Sequence, residues 1–500
     1  MKRTLSITLA FANLVLLTSL LVFTWILFTR LDSLWWAWDP RWAGRFDRGI
    51  VPLFFLFQFV MPLVTLAVAV ADMWRGFRRQ ALLSAAVSLV LVLLTLLWLG
   101  LGDRLASYQE TRADRAWVRS LEPMNDFLAR YPESPDSESA LRLRTAAARI
   151  GVELDPFDAK GSRSGETERK AFQSVQQRLV SFVSSQTRKP DDTLEAPSPE
   201  ISAWLSAHDA AIAALVGEVR SSDPIAFATD WSSARRLDVF GVRNVASVII
   251  LRALERERDG DSQAASDALE ASWRLGGALR DRGEAIHQVL ARGVDSMTLG
   301  ALRKLQEPPH LWRARVTEQD YLKSMLRTLE GEAWRVSADV NGWSAMDQRR
   351  RRRAGGLVRQ MAQPYLRLMA ADSSLAWAGI VTELKIVDPC RADWATLRKR
   401  ADGAPSRWNF LGRIAVPSAT FAWFATARTA LEAEMTRNIL AARELRNERG
   451  AWPSELPGLD SSVCPGERWD YSTSPNGRMA LSIRWNPSLG PPLVFRAGPR

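Results

Sequence analysis

Two cysteines and three histidines are the residues of this 500-residue chain whose types most often carry chemistry. Cys390 and Cys464 lie too far apart in sequence for a zinc or redox motif. In an oxidising compartment they could form a disulfide that closes a loop of ~73 residues and stabilises the fold by about 4 kcal/mol. Two unrelated thiols are the alternative.

The histidines, His208, His287 and His310, have no second metal ligand close by in sequence. Glu284 and His287 show the i, i+3 spacing of di-iron bundles, but such sites need a second copy of the pair and further carboxylates. The sequence also has no Gly-rich phosphate loop after a strand, no G-x-S-x-G and no H-E-x-x-H. It therefore predicts no catalytic residue, no metal site and no bound cofactor.

Three apolar runs without a charged residue lie within the first hundred positions, at about 5–28, 50–71 and 81–101. Each is close to the ~20 residues that a helix needs to cross a bilayer. The sequence thus predicts that residues 1–102 form a transmembrane anchor of three helices.

The loop after the first run combines tryptophans with arginines, which is typical of a segment at the level of the lipid headgroups. Its members are Trp35, Trp36, Trp38, Arg41, Trp42 and Arg45. An aromatic belt is the simplest interpretation, and a site for a specific lipid or partner is the alternative.

A run of five arginines is the second basic feature, and it comprises Arg349, Arg350, Arg351, Arg352 and Arg353. A solvated loop or helix face is the simplest interpretation, and binding of anionic lipid is the functional one. The net charge of +11 is spread over the whole chain, unlike the basic patch of a nucleic-acid-binding domain. Nucleic acid is therefore not an expected partner.

Helical patterns dominate the remaining chain. Residues 103–154 resemble a tetratricopeptide-type helical hairpin of bacterial envelope proteins around Tyr131-Pro132-Glu133-Ser134-Pro135, where Ser134 is expected to cap the second helix. Residues 155–200 are rich in Pro, Ser and Gly and predict a flexible linker with one helix near 166–185. Residues 201–415 predict a helical-repeat domain, because consecutive helices carry small residues on their apolar stripes and Gly260 is suited to a left-handed turn between two of them.

The C-terminal residues 416–500 predict a long helix near 418–449 and then a small β module with a hairpin at Asn476-Gly477. The pattern from Arg437 and Leu440 to Gly450-Ala451-Trp452-Pro453 and Leu456 resembles the corresponding segment of type II secretion pseudopilins. In that family a long helix leads into a small β-sheet. Residues 200–490 also resemble uncharacterised bacterial envelope proteins. No prepilin-peptidase site precedes the helix and no calcium-site acids are evident, so we do not expect a pilin subunit.

These features together predict a mainly α protein with a transmembrane anchor, a tetratricopeptide- or solenoid-like body and a small α+β C-terminal module. The arginines of the short loops mildly favour a cytoplasmic body, whereas the features of the body favour the periplasm, which we expect. The predicted function is that of a multi-pass inner-membrane protein of the bacterial envelope that binds another envelope protein. The alternatives are a cytoplasm-facing membrane scaffold that uses the arginine run, and an envelope enzyme acting on lipid-linked or cell-wall substrates.

Overall fold

The computed structural model describes positions 70, 74, 82, 86, 101 and 102 and nine longer segments: 104–117, 124–154, 165–221, 223–229, 238–280, 282–333, 356–407, 409–484 and 492–498. Nearly all of the three predicted membrane spans lies outside the described residues. So do the Trp- and Arg-rich loop at 35–45 and the arginine run at 349–353. Within the described residues, no helix is both long enough and apolar enough to cross a membrane.

The described chain is mainly helical and ends in a small antiparallel sheet. The helices are α1 (residues 104–117), α2 (Met124–Arg130), α3 (Glu138–Arg149), α4 (Glu166–Arg188), α5 (Pro199–Ala207), α6 (Asp209–Arg220), α7 (Val239–Arg258), α8 (Ser262–Arg280), α9 (Ala285–Leu302), α10 (Leu311–Glu318), α11 (residues 321–333), α12 (Gly356–Ile386), α13 (Trp394–Gly403) and α14 (Phe410–Arg449). The strands are β1 (Trp469–Thr473), β2 (Met479–Ile483) and β3 (Val494–Ala497), in the order β1-β2-β3.

The chain divides into two compact units. The first comprises residues 1–121, 336–380 and 400–417, and the second comprises residues 122–335, 381–399 and 418–500. The second unit contains the helical body and the C-terminal sheet.

The core of the helical body is built from α3 to α10, from Tyr321 at the start of α11 and from part of α14. Consecutive helices α7, α8 and α9 pack against one another, and small buried side chains such as Ala268 and Ala271 allow their axes to approach closely. Gly260 adopts φ 82° between α7 and α8, which confirms the predicted left-handed turn.

The N-terminal cap of α3 differs from the expectation. Ser137, not Ser134, caps α3, because its hydroxyl accepts the Ala140 amide at 3.1 Å. Ser134 instead exchanges backbone hydrogen bonds with Thr229, a residue far away in sequence.

The segment 155–200 was expected to be a flexible linker with one helix near 166–185, and the structure has that helix, α4, packed into the core. Phe172, Val175, Leu179 and Val183 form the buried stripe of that helix. Their spacing of three and four residues is that of an amphipathic helix packed on one side. Helix α4 is therefore an integral part of the helical core.

The long helix α14 begins at Phe410, eight residues before the predicted start. Asn409 caps it, since its side-chain oxygen accepts the Gly412 amide at 2.9 Å and its amide nitrogen contacts Asp372 at 2.9 Å. Further along α14, Ala430, Ala433 and Leu440 join the helical core. Leu431, Met435, Ile439 and Ala442 join the separate core under the sheet. One helix thus links the helical body to the C-terminal module.

Candidate functional site

A groove of about 260 Å³ lies beside the C-terminal half of α14. One wall is the turn after α9, with Pro308, Pro309 and His310, followed by Arg313 on α10. The other wall is formed by side chains of α14, among them Leu440, Glu444 and Asn447. All of these residues belong to the second unit.

The turn that forms this groove is held against α14 by one buried side chain. The guanidinium of Arg443 donates to the carbonyl oxygen of Leu305 at 2.5 Å and to that of Arg303 at 2.7 Å. The Gln306 amide donates to a carboxylate oxygen of Glu257 on α7 at 2.6 Å. Charge-assisted bonds of this kind fix the position of the backbone on which the groove residues lie.

At the exposed end of the groove, two basic side chains contact one carboxylate. Glu444 Oε2 accepts from Arg313 Nη1 at 3.0 Å, and its Oε1 lies 3.3 Å from His310 Nδ1. The His310 side chain is 91% exposed. The imidazole and the carboxylate thus lie within the distance of an ion pair. Because they are in contact with water, their mutual attraction is weak and falls with salt.

Arg303 and Lys304, which directly follow α9, are almost fully buried. Arg303 donates to the Thr436 hydroxyl at 3.0 Å, and burial lowers its pKa. Lys304 donates to the Asp191 carbonyl oxygen, and burial lowers its pKa to about 8. These cations connect α9 with α14 and with the chain after α4, so their contacts are those of a structural core.

A second buried charged cluster lies deeper in the helical body. Arg280 and Asp295 form an ion pair in which Asp295 is fully buried. Burial raises the pKa of Asp295, while the Arg280 guanidinium opposes that shift. Arg280 also lies 4.4 Å over the Trp273 ring, and burial raises the pKa of Tyr321 nearby. The apolar helical pattern of the sequence gave no sign of this cluster.

The histidines considered in the sequence occupy three different surroundings. His287 is buried and contacts the carboxylate of Glu284 one turn earlier in the chain. His208 stacks on Trp204 at 4.6 Å between ring centroids, and His310 lies in the groove. Among the described residues, no group of three or more His, Cys, Asp or Glu side chains could hold a metal ion.

Cys390 and Cys464 form a disulfide, with their Cα atoms 5.4 Å apart. This separation lies within the usual range for disulfides. The bond ties the loop after α12 to the turn before β1 and closes a loop over a sequence separation of 74.

Glu434 has a role in this region that the sequence did not predict. Its buried carboxylate accepts from the Ser462 amide and hydroxyl, the Val463 amide, the Ser461 hydroxyl and the Trp469 indole nitrogen, at 2.5–3.1 Å. The available signal was an acid within the apolar stripe that includes Leu431 and Met435. A buried charge needs such partners, so Glu434 fixes the C-terminal module on α14.

The residues of the pseudopilin-like pattern lie at the transition from α14 to the sheet. Gly450 ends the helix with φ 72°, and Arg446 lies 4.5 Å over the Trp452 ring. The Tyr471 hydroxyl donates to the Pro453 carbonyl oxygen at 2.8 Å. Through these contacts, the segment after α14 packs against β1.

Comparison of the whole chain with known family models, curated proteins and solved structures finds no match.

Proposed function

We propose that this chain is a membrane-anchored protein of the bacterial cell envelope, with a helical-repeat body that lies in the periplasm and binds another protein. The observation that carries this proposal is the disulfide between Cys390 and Cys464. Disulfides persist in the periplasm and other oxidising compartments, whereas the cytoplasm keeps thiols reduced.

The distribution of exposed apolar side chains supports the anchor. Six of the twelve large hydrophobic side chains that are exposed among the described residues lie between positions 70 and 108, namely Val70, Trp74, Leu82, Leu101, Leu105 and Tyr108. Only about twenty residues between positions 70 and 117 are described, so this share is high. Such a concentration of exposed apolar surface marks contact with a membrane or with another protein.

The groove at His310 supports the binding role of the body. It combines apolar side chains, Leu440 and the two prolines, with a rim of charged groups around Glu444. Stacked helical repeats present surfaces of this type to protein partners, and their turns supply part of the contact. An apolar floor with a polar rim is also the usual anatomy of a protein interface.

The experiment is in-cell photocrosslinking with a benzophenone amino acid. It replaces His310 in the groove or, as a control, the exposed Lys170 on α4. The proposal expects one discrete adduct of the full chain with a periplasmic or membrane protein, identified by mass spectrometry, at His310 and not at Lys170. Equal, diffuse labelling from both positions, or an adduct with a cytoplasmic protein, would refute it.

A further inference from the structure

A graded stripe of exposed side chains begins at Leu101 and extends along one face of α1. Leu105, Tyr108, Arg112 and Arg115 follow one another at intervals of three, four and three residues, so they lie on one side of α1, and Leu101, four residues before Leu105, has the same spacing. All five are exposed, the first three by 44%, 48% and 66%. Along the helix axis the stripe changes from aliphatic to aromatic to cationic.

The opposite face of α1 is buried, so the stripe faces away from the packed side of the helix. Ala106, Ala113 and Trp117 are buried there, and the Trp117 indole donates to the Ser374 carbonyl oxygen at 3.1 Å. Glu110 forms an ion pair with Arg367 through its two carboxylate oxygens. Both partners lie in the same unit as α1. Glu110 thus lies on the packed side of the helix, and the exposed stripe carries two cations and no acid.

We propose that this stripe is the surface on which the chain leaves the bilayer, and that it binds anionic phospholipid headgroups. The proposal rests on the membrane anchor of the proposed function. In the sequence, α1 follows closely after the third apolar run, which ends at Leu101. With Leu105 at the edge of the hydrocarbon, Tyr108 lies about 5 Å and Arg112 about 10 Å further out. These depths match the headgroup layer, where tyrosine is enriched and arginine reaches phosphate through its long side chain.

The same spacing also fits the seam of a coiled coil between two copies of the chain. In a parallel pair, however, Arg112 and Arg115 would face their own copies across the seam, and like charges at that distance repel. The negative surface of anionic lipid has the opposite sign and attracts them. Charge complementarity thus favours lipid over a second copy.

The first test measures depth with single nitroxide labels on the full chain in bilayer nanodiscs that contain phosphatidylglycerol and phosphatidylcholine. The native cysteines are bonded to each other, so Leu105→Cys, Tyr108→Cys and the body control Leu141→Cys each offer one thiol. We expect the labels at 105 and 108 to be accessible to oxygen and protected from an aqueous nickel complex, and the label at 141 to be open to nickel. Nickel access at 105 and 108 equal to that at 141 would overturn the inference, and so would spin coupling between copies at 105.

The second test measures selectivity for anionic lipid with spin-labelled phosphatidylglycerol and phosphatidylcholine. Arg112→Ala/Arg115→Ala should reduce the preference for phosphatidylglycerol at least twofold. The control Arg243→Ala/Arg258→Ala, which removes two exposed arginines of α7, should leave it unchanged. Equal preference in both variants would contradict the assignment of lipid phosphate to these arginines.

The two proposals fail in different ways. If alkaline extraction releases the full chain from membranes, the anchor of the proposed function is refuted, and this inference with it. If the chain resists extraction but the labels at 105 and 108 are in water, the anchor stands and only this inference is refuted.

Discussion

Replacing Glu434 by Gln should loosen the segment that joins α14 to the C-terminal sheet. The carboxylate divides its partners between its two oxygens. Oε1 accepts from the Ser462 amide and hydroxyl and from the Val463 amide. Oε2 accepts from the Ser461 hydroxyl and the Trp469 indole nitrogen. A glutamine can keep an oxygen on one side only.

The cost follows from this geometry. With the amide oxygen in place of Oε1, the amide nitrogen faces the indole N–H of Trp469, which can only donate. One buried donor then has no acceptor, at a cost of about 1–3 kcal/mol, and the remaining bonds lose their charge assistance. We expect a total of about 3 kcal/mol for local opening, which corresponds to roughly a hundredfold change in the opening equilibrium.

Hydrogen exchange followed by mass spectrometry measures this opening directly. The Ser462 and Val463 amides should exchange roughly a hundredfold faster in Glu434→Gln, while peptides from α7 to α9 keep their protection. The control Glu444→Gln changes an acid of the groove on the same helix and should leave these amides unchanged. Unaltered exchange at Ser462 and Val463 in Glu434→Gln would refute the assigned role.

Two further predictions concern the helical body. An added Cβ at Gly300 would lie 2.3 Å from the Thr187 carbonyl oxygen, so Gly300→Ala should lower the free energy of unfolding in urea by about 1–3 kcal/mol. An added Cβ at Gly293 on the same helix meets no atom within 4 Å, so Gly293→Ala should raise the free energy of unfolding by up to about 1 kcal/mol. Equal changes in the two variants would contradict the close contact at Gly300. Because burial lowers the pKa of Lys304 from 10.5 to about 8, the native chain releases this proton at lower pH than the unfolded chain, and its stability should rise between these values. Between the two ends of that pH window, the free energy of unfolding should rise by up to about 3 kcal/mol less in Lys304→Met than in the native chain. Equal rises in both chains would contradict this prediction.

The features that the sequence predicted correctly depend on local chemistry. The helical character of residues 262–302 follows from apolar side chains at helical spacing, and the structure has α8 and α9 there. The turn at Gly260 and the hairpin at Gly477, with φ 68°, need a residue that tolerates positive φ. Such signals are contained within a few neighbouring residues, so one sequence is enough to detect them.

The features that the sequence did not predict depend on contacts between distant residues. Ser134 has the right type for a helix cap, but its backbone pairs with Thr229. The polar composition around α4 favoured a linker, yet its apolar stripe is completed by residues of α9 and α7. In the sequence, Glu434 is indistinguishable from an exposed helical acid, and only its contacts with the turn at 461–463 show its role. Each outcome is decided by tertiary packing, which local patterns do not encode.

Thiol labelling in intact cells tests most directly the proposal that the helical body lies outside the inner membrane. The full chain with Lys170→Cys presents one exposed thiol on α4, and the native pair, bonded to each other, serves as an internal control. We expect a membrane-impermeant maleimide to label position 170 in intact cells, and Cys390 and Cys464 to react only after reduction and unfolding. Labelling of position 170 only after the inner membrane is breached, with both native cysteines reactive without reduction, would contradict it.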